Sequence, residues 1–362
     1  MTTSIATVKP RRAVELMPEY HPPLAGRTAL RLDFNENTFA PSPRVIERIH
    51  KATSEDLTKY PEREPIERIA AAHFCLAPGQ VLLTNGVDEA IHLLCLTFLE
   101  GDDEALITTP TFFMYDVGVQ LMTPNLVRVQ ADDSLAFPFE RFMQAITPKT
   151  KLIMVASPNN PTGGIVSREH LLAIAAAAPH AVLFVDEAYF HFHSESMLAD
   201  IPDIPNLIVG RTFSKAYGLA NLRLGMLAGN AELLRYIRKV CSPYNVNGLA
   251  LECLPVALED DAYVRWYADQ IATGRDRMAT GLHELGVGFF PSHANFILMK
   301  IGPLHAELCA TMRAHGVLLR DRSTDPGCDG YVRITIGIED HVTKALAALK
   351  LSLTEINWRP ND

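Results

Sequence analysis

The stretch RTFSKAYGLANLRLG at positions 211–225 concentrates hydroxyl, amine and guanidinium groups in one short segment. Lys215 follows Thr212 and Ser214, and Arg223 comes eight positions later. A lysine becomes a nucleophile when burial or a neighbouring positive charge lowers its pKa. Arg223 could be that neighbour while also binding an anion. The stretch therefore predicts a nucleophilic amine beside an anion-binding site.

A second apolar segment, QVLLTNGVDEAIHLL, ends in a turn suited to an anion. It reads as a strand that ends at Gly86 and a helix that begins near Asp88. Free backbone N–H groups at the start of a helix can bind phosphate, and a glycine lets the backbone approach it closely. This turn therefore predicts a phosphate site.

Two more buried-strand patterns, KLIMVASPNNPTGG and AVLFVDEAYFHF, also end in polar turns. The second runs directly into Asp186 and Glu187, followed by Tyr189. A carboxylate at the end of an apolar strand is costly to bury unless a cation or a proton meets it. Two purely structural alternatives stay open: NNPTGG as no more than a tight turn, and Asp186 as the cap of the next helix.

These segments belong to an alternation of amphipathic helices and short aliphatic runs that begins at about residue 44. Such alternation predicts an α/β fold with a mostly parallel sheet covered by helices. In sheets of this kind ligands bind beyond the carboxyl ends of the strands, where loops from separate strands meet. The candidate groups follow such ends, so we expect them to converge.

The same patterns divide the chain into three parts. Residues 1–40 are rich in proline and lack sustained periodicity, which predicts an extended arm that packs on the small domain or on another subunit. Residues 41–285 form the predicted large domain, whose last part is helical. Residues 286–362 predict a smaller α+β domain, with a strand, a helix, two strands and a helix.

Composition excludes several functional classes. A net charge of -9 without a long basic run argues against a nucleic-acid partner, and no apolar run is long enough to span a membrane. The six cysteines show no CxxC spacing and no signal-peptide pattern is visible, which predicts a cytoplasmic protein with reduced thiols. No GxGxxG follows an early strand, against a nicotinamide-dependent dehydrogenase. His191 and His193 lack a nearby third ligand, so no metal is expected.

The candidate groups match the needs of one cofactor. They provide a phosphate site at a helix start with hydroxyls and a guanidinium, an aromatic ring, a lysine for a Schiff base and an aspartate for a ring nitrogen. Pyridoxal 5′-phosphate requires this set of partners. The sequence therefore predicts a pyridoxal-phosphate protein.

At this point the sequence resembles a known family. NNPTG, DEAY and SKAYGLANLRLG, in this order, are similar to the motifs of fold-type I pyridoxal-phosphate aminotransferases of classes I and II. The similarity extends almost end to end, because LDFNENTFAPSP, KYPE, GVDEAI, TPTFFMY, GVLLRDR and YVRITIG resemble histidinol-phosphate aminotransferases. It implies an enzyme with a large domain built on a mostly parallel sheet and a smaller α+β C-terminal domain.

The resemblance also implies roles around the cofactor ring. Lys215 is implied as the residue of the internal aldimine and, once released by substrate, as the base that moves the proton. Asp186 is implied as the partner of the ring nitrogen, and Tyr189 and Asn160 as partners of the ring hydroxyl. Phe112 falls where the family stacks an aromatic ring on the cofactor; many relatives have tyrosine there, and stacking survives the change.

The phosphate of the cofactor is implied to be held by Arg223, two hydroxyls and backbone N–H groups at the helix start. The remaining members of this set are Val87, Asp88, Thr212 and Ser214. Tyr60, in KYPE, resembles a tyrosine that reaches the phosphate from the neighbouring subunit, which implies a homodimer with a shared active site. The alternative for Tyr60 is a core tyrosine.

The substrate assignments are also implied by the resemblance. Arg333, in YVRITIG, matches the arginine that binds the anionic end of the substrate, and Arg320, in GVLLRDR, is a second candidate. Tyr20 and Asn35 complete the set, although MPEYHPPLAGR departs from the commoner tyrosine-proline spacing around Tyr20. Bidentate geometry suits arginine for carboxylate and phosphate alike.

The implied reaction is the ping-pong conversion of histidinol phosphate and 2-oxoglutarate into imidazole-acetol phosphate and glutamate. An aromatic or broad-range aminotransferase would share the cofactor residues, and a threonine-phosphate decarboxylase would share the fold. A non-catalytic pyridoxal-phosphate-binding regulator is a further alternative, but such proteins carry a basic DNA-binding domain that this sequence lacks.

Overall fold

The computed structural model describes residues 8–17, 19 and 28–360. Its α-helices are numbered along the chain from α1 to α13. They are α1 Arg12–Leu16, α2 Pro43–His50, α3 Ser54–Thr58, α4 Arg63–His73, α5 Gly86–Phe98, α6 Met114–Gln120, α7 Phe139–Gln144, α8 Arg168–Ala177, α9 Ala231–Val240, α10 Gly248–Leu258, α11 Asp261–Glu284, α12 His305–Ala314 and α13 Glu339–Glu355.

The strands are numbered in the same way from β1 to β13. They are β1 Leu30–Arg31, β2 Val81–Thr84, β3 Glu104–Thr109, β4 Leu126–Gln130, β5 Thr150–Ala156, β6 Val182–Asp186, β7 Leu207–Thr212, β8 Gly225–Gly229, β9 Gly288–Phe289, β10 Phe296–Lys300, β11 Val317–Leu318, β12 Arg320–Asp321 and β13 Tyr331–Thr335. Helices and strands alternate through the first two thirds of the chain, as the sequence predicts.

The central sheet has seven strands in the order β2-β8-β7-β6-β5-β3-β4. All neighbours are parallel except at β8, which is antiparallel to both β2 and β7. Every residue of β2, β6, β7 and β8 is buried, because helices cover both faces of the sheet. The prediction of a mostly parallel sheet is confirmed.

The helices pack on the sheet in two apolar clusters, one for each face. Leu82, Ile91 and Phe184 belong to the cluster under α5, α6 and α9, and Leu183 and Val209 belong to the other. Neighbouring residues along a strand point to opposite faces, which is why Leu183 and Phe184 belong to different clusters. Because both faces of the sheet are apolar, the polar groups lie at the ends of the strands.

The C-terminal part of the chain forms a second sheet, with four antiparallel strands in the order β12-β13-β10-β9. Helices α12 and α13 contact each other, and α13 also packs on α11. This arrangement agrees with the predicted α+β C-terminal unit. The domain boundaries at residues 40 and 285 stay predictions.

The described part of the N-terminal arm differs from a fully extended chain. The segment RAVEL forms helix α1, which has no internal proline and contains the good helix formers alanine, leucine and glutamate. Strand β1 pairs in parallel with β11, and the N–H of Thr335 donates to the carbonyl of Leu32 at 2.9 Å. Residues 30–32 are therefore attached to the C-terminal part of the chain.

Candidate active site

The site lies at the edge of the central sheet where β2, β3, β5, β6 and β7 end and β8 begins. The antiparallel direction of β8 brings its first residue, Gly225, to the same edge as the last residue of β7, Thr212. Two segments outside the sheet also reach this edge. They are the chain around Phe34 and the strand β13 that carries Arg333.

Lys215 lies three residues beyond the end of β7 and is partly buried. Its Nζ donates a hydrogen bond of 3.0 Å to the backbone carbonyl of Phe34 and lies 5.8 Å from the centroid of the Tyr189 ring. The pKa of Lys215 is lowered to about 8; burial is the largest cause, and the positive charge of Arg333 is the next. A larger fraction of this amine is therefore neutral, and nucleophilic, near neutral pH than in an ordinary lysine.

Gly86 begins helix α5 with a positive φ of 77°, the left-handed region that favours glycine. A Cβ atom at Gly86 would lie 2.4 Å from Nη2 of Arg223. A Cβ at Gly225 would lie 2.8 Å from the backbone nitrogen of Val87. The absence of both side chains keeps open a cradle between the first turn of α5 and the guanidinium.

The other predicted phosphate-binding groups line the same cradle. Arg223 donates from Nη2 to Asp88 at 3.0 Å, and its Nη1 lies 3.5 Å from Oγ of Ser214. The hydroxyl of Thr212 accepts from the N–H of Ser214 at 3.1 Å and lies 3.4 Å from the carbonyl of Leu224. Within the chain, Asp88, Thr212, Ser214 and Arg223 are thus brought together, whereas Tyr60 contacts none of them.

Asp186 ends β6 and is buried. Its Oδ2 accepts a hydrogen bond of 2.8 Å from the hydroxyl of Tyr115, and its Oδ1 accepts from the N–H of Ala188 at 3.0 Å. Burial raises the pKa of Asp186 to about 6, although both hydrogen bonds oppose the rise. Among the described residues, no cation forms an ion pair with Asp186. A buried carboxylate in this state suits a positively charged ligand atom.

Asp186 only partly fits the structural alternative, in which it caps the next helix. The bond to Ala188 closes a tight turn, and the segment that follows, Phe190–Phe192, is a short 3-10 helix. His191 therefore lies in this short helix, beyond the strand that ends at Asp186. Burial lowers the pKa of His191 to about 3, and the described residues contain no group of three potential metal ligands.

Asn35 links Tyr189 to the C-terminal sheet. Its Nδ2 donates to the hydroxyl of Tyr189 at 3.0 Å, and its Oδ1 accepts from the hydroxyl of Thr335 at 3.1 Å. Asn35 has a positive φ of 54°, a conformation that asparagine tolerates better than most residues. The predicted contact of Asn35 with substrate stays a prediction; its observed contacts orient Tyr189.

Arg333, the predicted anion-binding residue, is buried, with 4% of its surface exposed. Its Nη1 donates to Oδ1 of Asn160 at 2.5 Å and its Nη2 donates to the carbonyl of Asp33 at 2.8 Å. Its Nε has no hydrogen-bond partner among the described residues, and no described carboxylate forms an ion pair with it. A buried guanidinium with this coordination is suited to an anionic ligand.

Two further arginines act on Arg333. Burial and then the positive charge of Arg322 lower the pKa of Arg333, and Arg320 acts in the same direction. Arg322 forms an ion pair with Asp325, and both side chains are mostly buried. The guanidinium carbon of Arg320 lies 5.3 Å from the centroid of the Phe34 ring. Arg320 and Arg322 therefore both contribute positive charge that acts on Arg333.

Phe112, Tyr60 and Tyr20 complete the set of predicted site residues. Phe112 is partly buried, with its ring in edge-to-face contact with the Tyr115 ring at 5.8 Å. Tyr60 is 77% exposed and stacks on Tyr244 at a centroid distance of 4.3 Å, so the alternative of a core tyrosine is wrong for the single chain. Tyr20 lies outside the described residues.

Two residues of the site are absent from the sequence prediction, Tyr115 and Arg322. Each had a signal, because Tyr115 ends the motif TPTFFMY and Arg322 ends GVLLRDR. A motif does not show which of its polar side chains points into a site. That information depends on the start of α6 and on the turn after β12.

The comparisons with known proteins agree with this geometry. The model of the family "Aminotransferase class I and II" matches residues 27–349. The chain therefore belongs to the class I and II aminotransferases, and it is an enzyme that uses pyridoxal 5′-phosphate. No helix of the described part of the chain combines the length and the apolar character needed to cross a membrane.

Within this class, the chain belongs to the family of the histidinol-phosphate aminotransferases. It is 32% identical over 330 residues to the histidinol-phosphate aminotransferase of Caldanaerobacter subterraneus subsp. tengcongensis, which covers 88% of this chain and 92% of that protein. It is 31% identical over 336 residues to histidinol-phosphate aminotransferase 2 of Hydrogenovibrio crunogenus, with 91% and 90% covered.

A solved structure confirms the fold over nearly the whole chain. The histidinol-phosphate aminotransferase of Sinorhizobium meliloti, in complex with pyridoxal 5′-phosphate, superposes with a TM-score of 0.87 at 23% identity. The superposition covers 98% of this chain and 100% of that chain. The fold is that of fold-type I pyridoxal-phosphate aminotransferases.

Proposed function

We propose that the chain transfers the amino group of histidinol phosphate to 2-oxoglutarate by a ping-pong reaction, giving imidazole-acetol phosphate and glutamate. The observation that carries this proposal is the charge around Arg333. The positive charges of Arg322 and Arg320 act on Arg333 in one direction, and Tyr189 and Asp325 act in the other. Three arginines near one ligand suit a phosphate monoester, which carries a charge of about −1.5 to −2 at pH 7.

The relatives support the same substrate. The two relatives compared above, which cover 88% and 91% of this chain, are named histidinol-phosphate aminotransferases. In the second half-reaction glutamate and 2-oxoglutarate must use the same arginines for a carboxylate. Arg333 suits both, because its fork of N–H donors fits carboxylate and phosphate oxygens.

The residues of the site fit the cofactor. The cradle between Gly86 and Arg223 would receive its phosphate, together with Ser214, Thr212 and the backbone N–H groups of Val87 and Asp88. Asp186 would face the ring nitrogen, and Tyr189 and Asn160 the ring hydroxyl, while Phe112 would stack on the ring. When bound, the cofactor supplies an aldehyde for the amino group and a ring that accepts electrons from the substrate carbon.

Lys215 is the proposed catalytic base and attachment residue. Its lowered pKa keeps a fraction of the amine neutral, so Nζ can attack a carbonyl carbon or take a proton from the substrate carbon. The carbonyl of Phe34 accepts a hydrogen bond from this nitrogen and so fixes its position. Arg333 lies close enough to influence the pKa of Lys215, which couples the base to the anion-binding residue.

We also propose a homodimer in which Tyr60 reaches the cofactor phosphate of the partner subunit. The exposure of Tyr60 and Tyr244 supports this assignment, because a stacked aromatic pair on the surface of one chain is suited to an interface. The cytoplasmic location stays a prediction.

The substrate proposal is tested by mixing the holoenzyme separately with L-histidinol phosphate, L-phenylalanine, L-tyrosine and L-glutamate in a stopped-flow spectrophotometer. The loss of the cofactor's absorbance band gives a second-order rate constant for each donor. We expect histidinol phosphate to have by far the largest constant. A larger constant for an aromatic amino acid would reject the proposal and assign Arg333 to an aromatic aminotransferase. Release of carbon dioxide from threonine phosphate would instead identify a decarboxylase.

A further inference from the structure

Tyr115 lies on helix α6, against the strand that ends in Asp186, and none of its surface is exposed. Its hydroxyl donates a hydrogen bond of 2.8 Å to Oδ2 of the carboxylate. The other carboxylate oxygen accepts from the N–H of Ala188. Each oxygen of Asp186 thus has one protein donor and retains lone-pair capacity for a further partner.

The direction of this hydroxyl is fixed by the packing of its ring. The Tyr115 ring makes edge-to-face contacts with Phe112 at 5.8 Å and with Phe184 at 6.5 Å. Burial raises the pKa of Tyr115 well above its ordinary value, so the phenol stays protonated and acts as a donor to the carboxylate. A donor to a carboxylate favours its ionised form.

We propose that Tyr115 is a positioning residue that holds Asp186 ionised and oriented toward the ring nitrogen of the cofactor, and thereby sets the acid limit of cofactor binding. This inference rests on one part of the proposed function, the assignment of Asp186 to the ring nitrogen. It does not depend on which amino donor the enzyme uses.

The other groups around Asp186 show why the hydroxyl is needed. Burial and the negative charges of Asp88 and Glu187 all raise the pKa of the carboxyl group. Tyr189 is neutral, because burial raises its pKa as well. The Tyr115 hydroxyl and the Ala188 N–H are the groups that lower the pKa of Asp186. Without the hydroxyl, Asp186 takes up a proton at higher pH and can no longer pair with a protonated ring nitrogen.

The test is Tyr115→Phe, which removes only the hydroxyl, with Tyr267→Phe as the matched control. Tyr267 is also fully buried, and its hydroxyl accepts from the N–H of Thr38 rather than contacting Asp186. The dissociation constant of pyridoxal phosphate is measured on the apo-proteins by equilibrium dialysis from about pH 5.5 to 9. If the pKa of Asp186 rises by about one unit, Tyr115→Phe should bind the cofactor about fivefold more weakly at pH 6, and within about twofold of wild type at pH 9. The control should parallel wild type.

A weakening of the same size at every pH would assign Tyr115 a purely structural role, and no weakening would show that it does not act on Asp186; either result overturns the inference. If Tyr115→Phe does not fold, 3-fluorotyrosine at position 115 serves instead. Its hydroxyl is a stronger donor, so the acid limit should move to lower pH, and an unmoved limit overturns the inference. Asp186→Asn is the reference: wild-type affinity in this variant would instead show that the assignment of Asp186 itself is wrong.

Discussion

The amine of Lys215 lies 3.0 Å from the backbone carbonyl oxygen of Phe34, a residue 181 positions earlier in the chain. The next residue, Asn35, holds the hydroxyl of Tyr189, whose ring faces the same amine. A short N-terminal segment therefore orients two groups of the active site.

The first prediction concerns the pH dependence of cofactor attachment. Only the neutral form of Lys215 attacks the aldehyde, and the pKa of this amine is lowered to about 8. The rate constant of cofactor attachment to the apo-protein should therefore rise with pH and level off above about pH 8. Stopped-flow absorbance measures this rate. A midpoint near the ordinary lysine value of 10.5 would contradict the burial of Lys215.

The same shift has a consequence for stability. Between about pH 8 and 10.5 the unfolded chain holds a proton on Lys215 that the folded apo-protein does not hold. The free energy of unfolding should thus increase with pH through this window. The variant Lys215→Met lacks this titration, so the difference between wild type and Lys215→Met in urea unfolding isolates the effect. A flat difference across the window would be inconsistent with the shift.

The second prediction separates the backbone and side-chain roles of Asn35. Asn35→Gly keeps the left-handed conformation and loses the two side-chain hydrogen bonds, whereas Asn35→Ala also strains the backbone. We expect the free energy of unfolding of Asn35→Ala to be about 1–2 kcal/mol lower than that of Asn35→Gly, because alanine is disfavoured in the left-handed region. Urea unfolding of both variants measures the difference, and equal stabilities would refute the strain argument.

The third prediction concerns the cradle of the cofactor phosphate. Gly86→Ala places a methyl group 2.4 Å from the Arg223 guanidinium and should displace it. Gly316→Ala is a matched control, because Gly316 has a similar φ of 79° and no atom within 4 Å of the added Cβ. Both substitutions strain the backbone, but only Gly86→Ala should weaken pyridoxal-phosphate binding, by about tenfold or more. Equal dissociation constants for the two variants would disprove the assignment.

Arg223→Ala tests the same cradle from the other side. It removes the guanidinium that contacts Asp88 and Ser214. The cofactor should be lost more readily on dialysis, while the pH dependence of Lys215 attachment should change little.

The fourth prediction concerns the charge around Arg333. Arg322→Gln combined with Asp325→Asn removes a buried ion pair without leaving either charge alone. This double variant should raise KM for histidinol phosphate, because Arg322 acts more strongly on Arg333 than Asp325 does. KM for glutamate should change less. Arg277→Gln combined with Glu339→Gln, which removes an exposed ion pair, is the matched control. Equal changes in the two KM values would show that Arg322 does not favour phosphate.

The fifth prediction concerns the proposed dimer. Lys215→Ala should be inactive, and Tyr60→Ala should bind the cofactor weakly. If Tyr60 acts across the interface, exchange of subunits between the two variants creates one site in each mixed dimer with both residues intact. Activity should then reappear on mixing. A sample of Lys215→Ala alone, taken through the same exchange procedure, provides the blank. No recovery after verified exchange would place Tyr60 outside the partner's site.

The sequence was most informative where strands end in motifs. Asp186 and Lys215 lie at the same edge because the parallel strands β6 and β7 both end there, and Arg223 joins them because the antiparallel β8 begins there. It was less informative where partners come from distant elements. The hydrogen bond between Tyr115 and Asp186 spans 71 positions, and nothing in either motif identifies the other.

The position of Asn35 shows the same limitation. Its assignment to substrate depended on its motif alone, whereas its observed contacts depend on a long-range pairing of β1 with β11 and of Asn35 with Thr335. Such pairings are set by tertiary packing, which local pattern and propensity do not determine. The effect of Arg322 on Arg333 likewise depends on the turn after β12, which no local pattern specifies.

The attachment of residues 30–35 to β11 and β13 has a consequence for the order of biosynthesis. Asn35 and Thr335 are 300 positions apart, and Arg333 reaches back to Asp33 over the same span. A ribosome adds Arg333 and Thr335 300 residues after their partners, so these contacts cannot form earlier. The central sheet can fold while synthesis continues, but the site acquires these contacts only after β13 has left the ribosome.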